Sequence, residues 1–309
     1  MNVKRRVFIS SPRNKYLDKR QNEIKTAIIQ EIEVNGYEVQ IFGSEDGGKG
    51  LAGLKSWSPE EVKNVMQQCV GAVVLGFPLW TFTGGGYNIG LVSEYCQYEG
   101  AVARTYDLPI LSLLQEGVEE RVFFNRYGNT PVVFIPKEAT ATWVKEKVFQ
   151  NFFANWLAKI QNRRDVFLGY ATGSKAIADK IRESLETELQ VTVLDWHEFM
   201  PANTILVRLE EAAARCTAAI FLFTNDDTFI NDNKSNNTNS NVTSAPRDNV
   251  VYETGYFAHA KGKNRVLIIR EKDSKMPVDL GGDIYALLED RNDLALVKSQ
   301  IKMFAENCL

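Results

Sequence analysis

Glu253 is the residue of this chain best placed to do chemistry. It lies in Arg247-Asp248-Asn249-Val250-Val251-Tyr252-Glu253-Thr254-Gly255-Tyr256-Phe257-Ala258-His259-Ala260-Lys261-Gly262-Lys263. That stretch opens as a polar turn and continues as an apolar, small-residue-rich helix. A carboxylate between Val251, Tyr252, Gly255, Tyr256 and Phe257 sits at the rim of a packed face, where burial is costly unless the charge is paired or used. A helical glutamate is usually a solvated surface residue, but the aromatic flanks and Gly255 argue against that reading here. A single placed carboxylate of this kind can stabilise a developing cation or hold hydroxyl groups, as carboxylates do in glycoside hydrolysis.

The elements that would position Glu253 are those of an open parallel sheet, where ligands bind beyond the carboxyl ends of the strands. Strand Val166-Phe167-Leu168-Gly169 leads into the loop Tyr170-Ala171-Thr172-Gly173-Ser174. Further loops begin at Asp195-Trp196-His197 and at Thr224-Asn225-Asp226-Asp227. Phe167, Gly169, Ser174, Trp196, Asp226 and Arg247 are therefore the candidate substrate-binding residues. Gly173 and Ser174 start a helix whose free N–H groups suit a phosphate. Trp196 either stacks on a flat ring or serves the fold. Arg247 either binds a pyrophosphate or caps the helix region and pairs with Asp248; Asp226 and Asp227 read first as turn residues.

The strand and helix signals occur twice. Val7-Phe8-Ile9-Ser10-Ser11 opens one half as Val166 to Tyr170 opens the other. Amphipathic helices follow at 22–33 and 174–188, then strands at 38–42 and 191–194. The continuous apolar runs from Cys69 to Gly76 and from Cys216 to Phe223 suit parallel strands covered on both faces. Glu99 to Ile110 parallels Glu253 to Ile268, the two glutamates being 154 residues apart. This alternation predicts an α/β protein of two tandem, doubly wound, mainly parallel sheets of flavodoxin-like kind. The expected divisions are a domain over 1–140, a connecting helix over 141–163 and a second domain over 164–309. The aromatics of the 141–160 segment read as core residues, with a partner surface as the alternative. Asn231 to Asn241 reads as a mobile polar loop, and it lacks the Gly and the bidentate Glu of a calcium loop. No metal site is expected.

Several ordered blocks resemble the TIR-like domain of bacterial antiphage effectors, the type fused to bacterial STING and used in cyclic-nucleotide-activated defence. They are Val166 to Gly169 with Ser174, Val193 to Trp196, Ala219 to Asp227, Arg247 to Phe257 and Met276 to Gly282. The resemblance implies cleavage of NAD at the nicotinamide–ribose bond, with Glu253 as the catalytic carboxylate. NAD is then the substrate and no cofactor is needed. Nicotinamide leaves neutral from a ring already cationic, so no general acid is required. The Glu99 segment resembles the nucleoside deoxyribosyltransferase and TIR-like group, in which a Glu opens a small-residue helix that ends in a Pro-led strand. Glu99 is thus a second candidate site, but Thr83-Gly84-Gly85-Gly86-Tyr87-Asn88-Ile89-Gly90 replaces the Arg-Asp-Asn lead-in. Neither that run nor Gly47-Gly48-Lys49-Gly50 is a phosphate-binding Walker loop, and flexible turns account for both. The first half is expected to sense a nucleotide or to assemble rather than to cut. An N-glycosidase or transferase acting on nucleosides or nucleotides, and a non-catalytic signalling scaffold, are the competing readings.

Composition excludes less. The chain has 309 residues and a net charge of −3, with 44% hydrophobic and 24% charged residues, which gives no sign of a general nucleic-acid surface. Cys69, Cys96, Cys216 and Cys308 show no paired spacing, and Met1 to Arg6 runs straight into a strand without a signal peptide. A cytoplasmic protein without membrane spans is expected. The expected partners are NAD, further copies of the chain as a homo-oligomer, and a separate sensor or a nucleotide second messenger as activator.

Overall fold

The computed structural model describes residues 4–42, 57–128, 130–196, 204–230, 242–280 and 285–309. The Asn-rich run, His197 and the glycines from 47 to 50 lie outside them. The chain divides into two compact units, Lys4–Arg163 and a second that begins at Arg164.

The first unit contains β1 (Arg6–Ser10), α1 (Lys19–Val34), β2 (Glu38–Gln40), α2 (Pro59–Met66), β3 (Cys69–Gly76), β4 (Pro78–Gly84), β5 (Tyr87–Val92), α3 (Glu94–Thr105), β6 (Ile110–Gln115), β7 (Val132–Ile135) and α4 (Lys147–Gln161). Its sheet runs β2-β1-β3-β6-β7, with every pairing parallel. β3 is buried along its whole length, as a central strand covered on both faces must be. The helices begin where the sequence supplies caps. Asp18 and Gln21 form a capping box for α1, and Ser93 Oγ accepts the Cys96 N–H at the start of α3.

The second unit repeats this order with β8 (Arg164–Gly169), α5 (Lys175–Glu188), β9 (Val193–Leu194), α6 (Ile205–Arg215), β10 (Cys216–Phe223), β11 (Asp227–Ile230), β12 (Val242–Ala245), α7 (Asp248–Lys261), β13 (Val266–Glu271), β14 (Tyr285–Leu288) and α8 (Ala295–Cys308). Its sheet runs β9-β8-β10-β13-β14, again all parallel. Two doubly wound sheets of one strand order thus stand where the sequence predicts two α/β domains.

Three expectations change. Thr83 to Gly90 is not a run of flexible turns but the core of an antiparallel hairpin, β4 on β5. Gly85 and Gly86 turn it with φ of +59° and +83°, backbone that only glycine enters cheaply. Glu99 does not open its helix but is the sixth residue of α3. The 141–163 segment is not a single helix, because a 3-10 turn over Ala141–Lys145 precedes α4. It belongs to the first unit, where Trp143, Phe149, Phe153 and Trp156 enter the core beside Val73 and Leu111. Gly71 admits α4 to the sheet, since a Cβ there would stand 2.7 Å from Ile160.

Candidate active site

α7 places Glu253 by its period. Val250, Glu253, Thr254 and Phe257 are its buried residues, the i, i+3, i+4, i+7 stripe of a helix lying on a sheet. The carboxylate therefore occupies a core-facing position. Phe257, one turn on, stacks on Phe167 at 4.9 Å between ring centroids, and Phe221 meets both rings. Asp248 in the first turn and Lys261 in the last complement the helix dipole.

Glu253 is only 7% exposed. Burial raises its carboxyl to about 7, and a hydrogen bond from Trp196 lowers it against that trend. Its Oε2 is buried and has no partner among the described residues. An oxygen left this way in a native fold calls for a functional explanation. The carboxylate faces a cavity of about 300 Å³, at the lower end of the size range of small-molecule sites.

Tyr170, Lys175, Asp195, Trp196, Arg208 and Arg247 help to line that cavity. They come from the loop after β8, the segment after β9 and the start of α7, the strand-end loops from which the sequence expects a site, and from α5 and α6. Three of them are cationic. Lys175 pairs with Asp179 at 2.8 Å on the exposed face of α5. Arg247 is 3.9 Å from Asp227, so its acidic neighbour is that residue and not Asp248. Asp195 is buried and accepts hydrogen bonds from Tyr170 at 3.0 Å and Arg182 at 2.6 Å, which braces the chain next to Trp196. Burial and then this carboxylate push the Tyr170 hydroxyl up to about 12.

The remaining candidates support the site without lining it. Phe167 is fully buried and meets Trp196 edge-on at 5.3 Å. Ser174 is also fully buried; its hydroxyl donates to Thr224 Oγ1 at 2.6 Å, and Thr224 bonds Asp226 at the same distance. Its N–H is taken by the Ala171 carbonyl. Ser174 and Asp226 thus tie the loop after β8 to the loop after β10. Gly169 acts through what it lacks, for a Cβ there would stand 2.3 Å from Phe221 and 3.4 Å from Glu253 Oε2. Lys175 and Arg208 were not singled out from the sequence. Lys175 directly follows the Gly173-Ser174 helix start, which was the available signal; Arg208 has none, being one cation of an amphipathic helix.

Residues 165–290 match a family model described as CAP12/Pycsar effector protein, TIR domain. The C-terminal half is TIR-like. CD-NTase-associated protein 12 of Flavobacterium daejeonense is 30% identical over 117 residues, covering 38% of this chain and 35% of that protein. Uncharacterized protein YuaY of Escherichia coli (strain K12) is 34% identical over 89 residues, covering 29% and 28%. The matched regions span about a third of these relatives' own lengths. A solved Salmonella typhimurium LT2 chain described as sugar binding aligns with 99% of this chain and 88% of its own at 13% identity, but its TM-score of 0.25 carries no argument. Outside the TIR-like half, Glu99 is 5% exposed; burial raises its carboxyl to about 7 against hydrogen bonds from Ser10 and Trp57. Among the described residues no group could hold a metal ion, and no helix is long and apolar enough to cross a membrane. The four cysteines are buried free thiols.

Proposed function

We propose that this chain is an antiphage defence effector whose TIR-like half, once activated, cleaves NAD at the nicotinamide–ribose bond and depletes the cell of it. The observation that carries this reading is the orphaned Oε2 of Glu253, buried at a cavity with cations around it. In the reaction the C1′–N bond breaks and its electron pair returns to the pyridinium nitrogen, which leaves as neutral nicotinamide. The ribosyl cation left behind is stabilised by ionised Glu253 in a site of low dielectric. Water then adds its oxygen to C1′ and gives up a proton, which makes ADP-ribose. Trp196 holds one side of the carboxylate and acts as a positioning residue. Lys175, Arg208 and Arg247 suit the diphosphate, with Arg in the role its planar fork favours. One relative is named a CD-NTase-associated protein and the family description names an effector, which supports activation by a nucleotide second messenger or a separate sensor; assembly of copies of the chain belongs to the same proposal.

The test is to incubate the full chain with NAD, alone and with a panel of cyclic nucleotides, and to measure nicotinamide by chromatography. Release is expected in the activated state and should fall at least ~10²-fold in Glu253→Gln. Absence of nicotinamide under every activating condition would overturn the proposal. Release of nucleobase from nucleosides with NAD intact would replace it by an N-glycosidase or transferase.

A further inference from the structure

Glu99 and Glu253 occupy one position in an architecture built twice. Each is the sixth residue of its helix, and the buried stripe Cys96-Glu99-Gly100-Ala103 of α3 repeats Val250-Glu253-Thr254-Phe257 of α7. The strands beneath agree in register. Phe8, Ile9 and Ser10 pair with Ala72, Val73 and Val74, as Phe167, Leu168 and Gly169 pair with Ala219, Ile220 and Phe221. An indole completes each site: Trp57 Nε1 donates to Glu99 Oε1 at 2.8 Å, and Trp196 bonds Glu253.

Beside the second carboxylate oxygen the copies part at one pair of positions. Ser10 Oγ donates to Glu99 Oε2 at 2.5 Å, so both oxygens of Glu99 are satisfied by the chain itself. Gly169 stands at the Ser10 position and offers nothing to Glu253 Oε2, which stays unpartnered. Phe221 stands where β3 has Val74, and it fills the space that a side chain at 169 would need. A buried acceptor without a donor is costly, so a donor from outside gains by supplying one. The N-terminal copy shows what kind of donor suits this oxygen, a hydroxyl.

We propose that the N-terminal unit is a self-occupied copy of the Glu253 site, in which the Ser10 hydroxyl makes the hydrogen bond that Glu253 leaves open to a ligand hydroxyl. The exchange of Ser10 and Val74 for Gly169 and Phe221 decides which copy accepts a ligand. That the ligand group is a ribosyl hydroxyl rests on the NAD reading; the closure of the Glu99 site does not.

The experiment compares G169S/F221V, which rebuilds the Ser10 arrangement around Glu253, with G169A/F221V, which differs from it by one oxygen. Circular dichroism checks that both fold. G169S/F221V is expected to bind ADP-ribose, followed by calorimetry, and to release nicotinamide ~10-fold or more weakly than G169A/F221V. Equal behaviour would overturn the proposal. If no form cleaves NAD but ADP-ribose binding still separates the two variants, the NAD reading fails and this inference stands. If neither binds ADP-ribose, the carboxyl of Glu253 is titrated by carbon NMR. A lower value in G169S/F221V supports the inference, and equal values overturn it. Should G169S/F221V fail to fold, the unaltered chain decides through stoichiometry: one ADP-ribose per chain is expected, and two would overturn self-occupancy.

Discussion

The two buried glutamates make the molecule sensitive to pH in a direction that can be stated. Both carboxyls are raised to about 7 from 4.5 by burial, so the folded chain holds these protons over a range in which the unfolded chain has released them. Their contribution to stability is full below about pH 4.5, falls as pH rises to about 7 and is level above that. Urea denaturation at pH 5 and pH 8 should show the unaltered chain losing up to about 3 kcal/mol relative to Glu253→Gln over that interval. The proposed NAD cleavage would run the other way: it needs the ionised carboxylate, so nicotinamide release should rise with pH through about 7. A pH–rate profile flat from pH 5 to 9 would remove Glu253 from the chemical step. Glu253 was legible in the sequence because a charge among Tyr252, Tyr256 and Phe257 violates the usual patterning. The orphaned oxygen was not, since it depends on which side chain stands opposite across the sheet.

At the scale of elements, α7 holds its carboxylate by position on the helix and not by sequence context. Gly255 lies two residues after Glu253, but a Cβ there would meet nothing within 4 Å and its φ is not positive. It is therefore a weak point of the helix, with no packing that requires it. Gly255→Ala should stabilise the chain by about 0.5–1 kcal/mol, read as a higher midpoint in thermal denaturation. A fall would mean that an unseen neighbour needs that space. The parallel strands were readable because β3 and β10 are unbroken apolar runs. The hairpin β4–β5 was missed although Trp80 and Phe82 alternate with Thr81 and Thr83, a period-two signal, because the glycines that turn it look like those of a flexible loop. The break at Glu146 between the 3-10 turn and α4 has no sequence mark; it turns Trp143 and Val144 into the core with Phe149.

At the scale of the molecule, the duplication reaches further than strand order. Each half inserts a two-stranded hairpin between its third strand and its Glu-bearing helix, β4–β5 in one and β11–β12 in the other. The sequence shows the repeat through the 154-residue spacing of Glu99 and Glu253 but hides how it diverged, because Ser10 and Glu99 are 89 residues apart and only folding joins them. The pairing of each glutamate with an indole has an optical consequence. Trp196 is the sole tryptophan from residue 164 onward, and it touches the carboxylate proposed to cut. Its emission should change as Glu253 gains or loses a proton, with a midpoint near the value of about 7 set by burial. In Trp57→Phe, which silences the matching indole on Glu99, a fluorescence titration should keep this component, and adding Glu253→Gln should erase it. The C-terminal half thus carries its own built-in dye, able to report ionisation and occupancy of the cavity without any label.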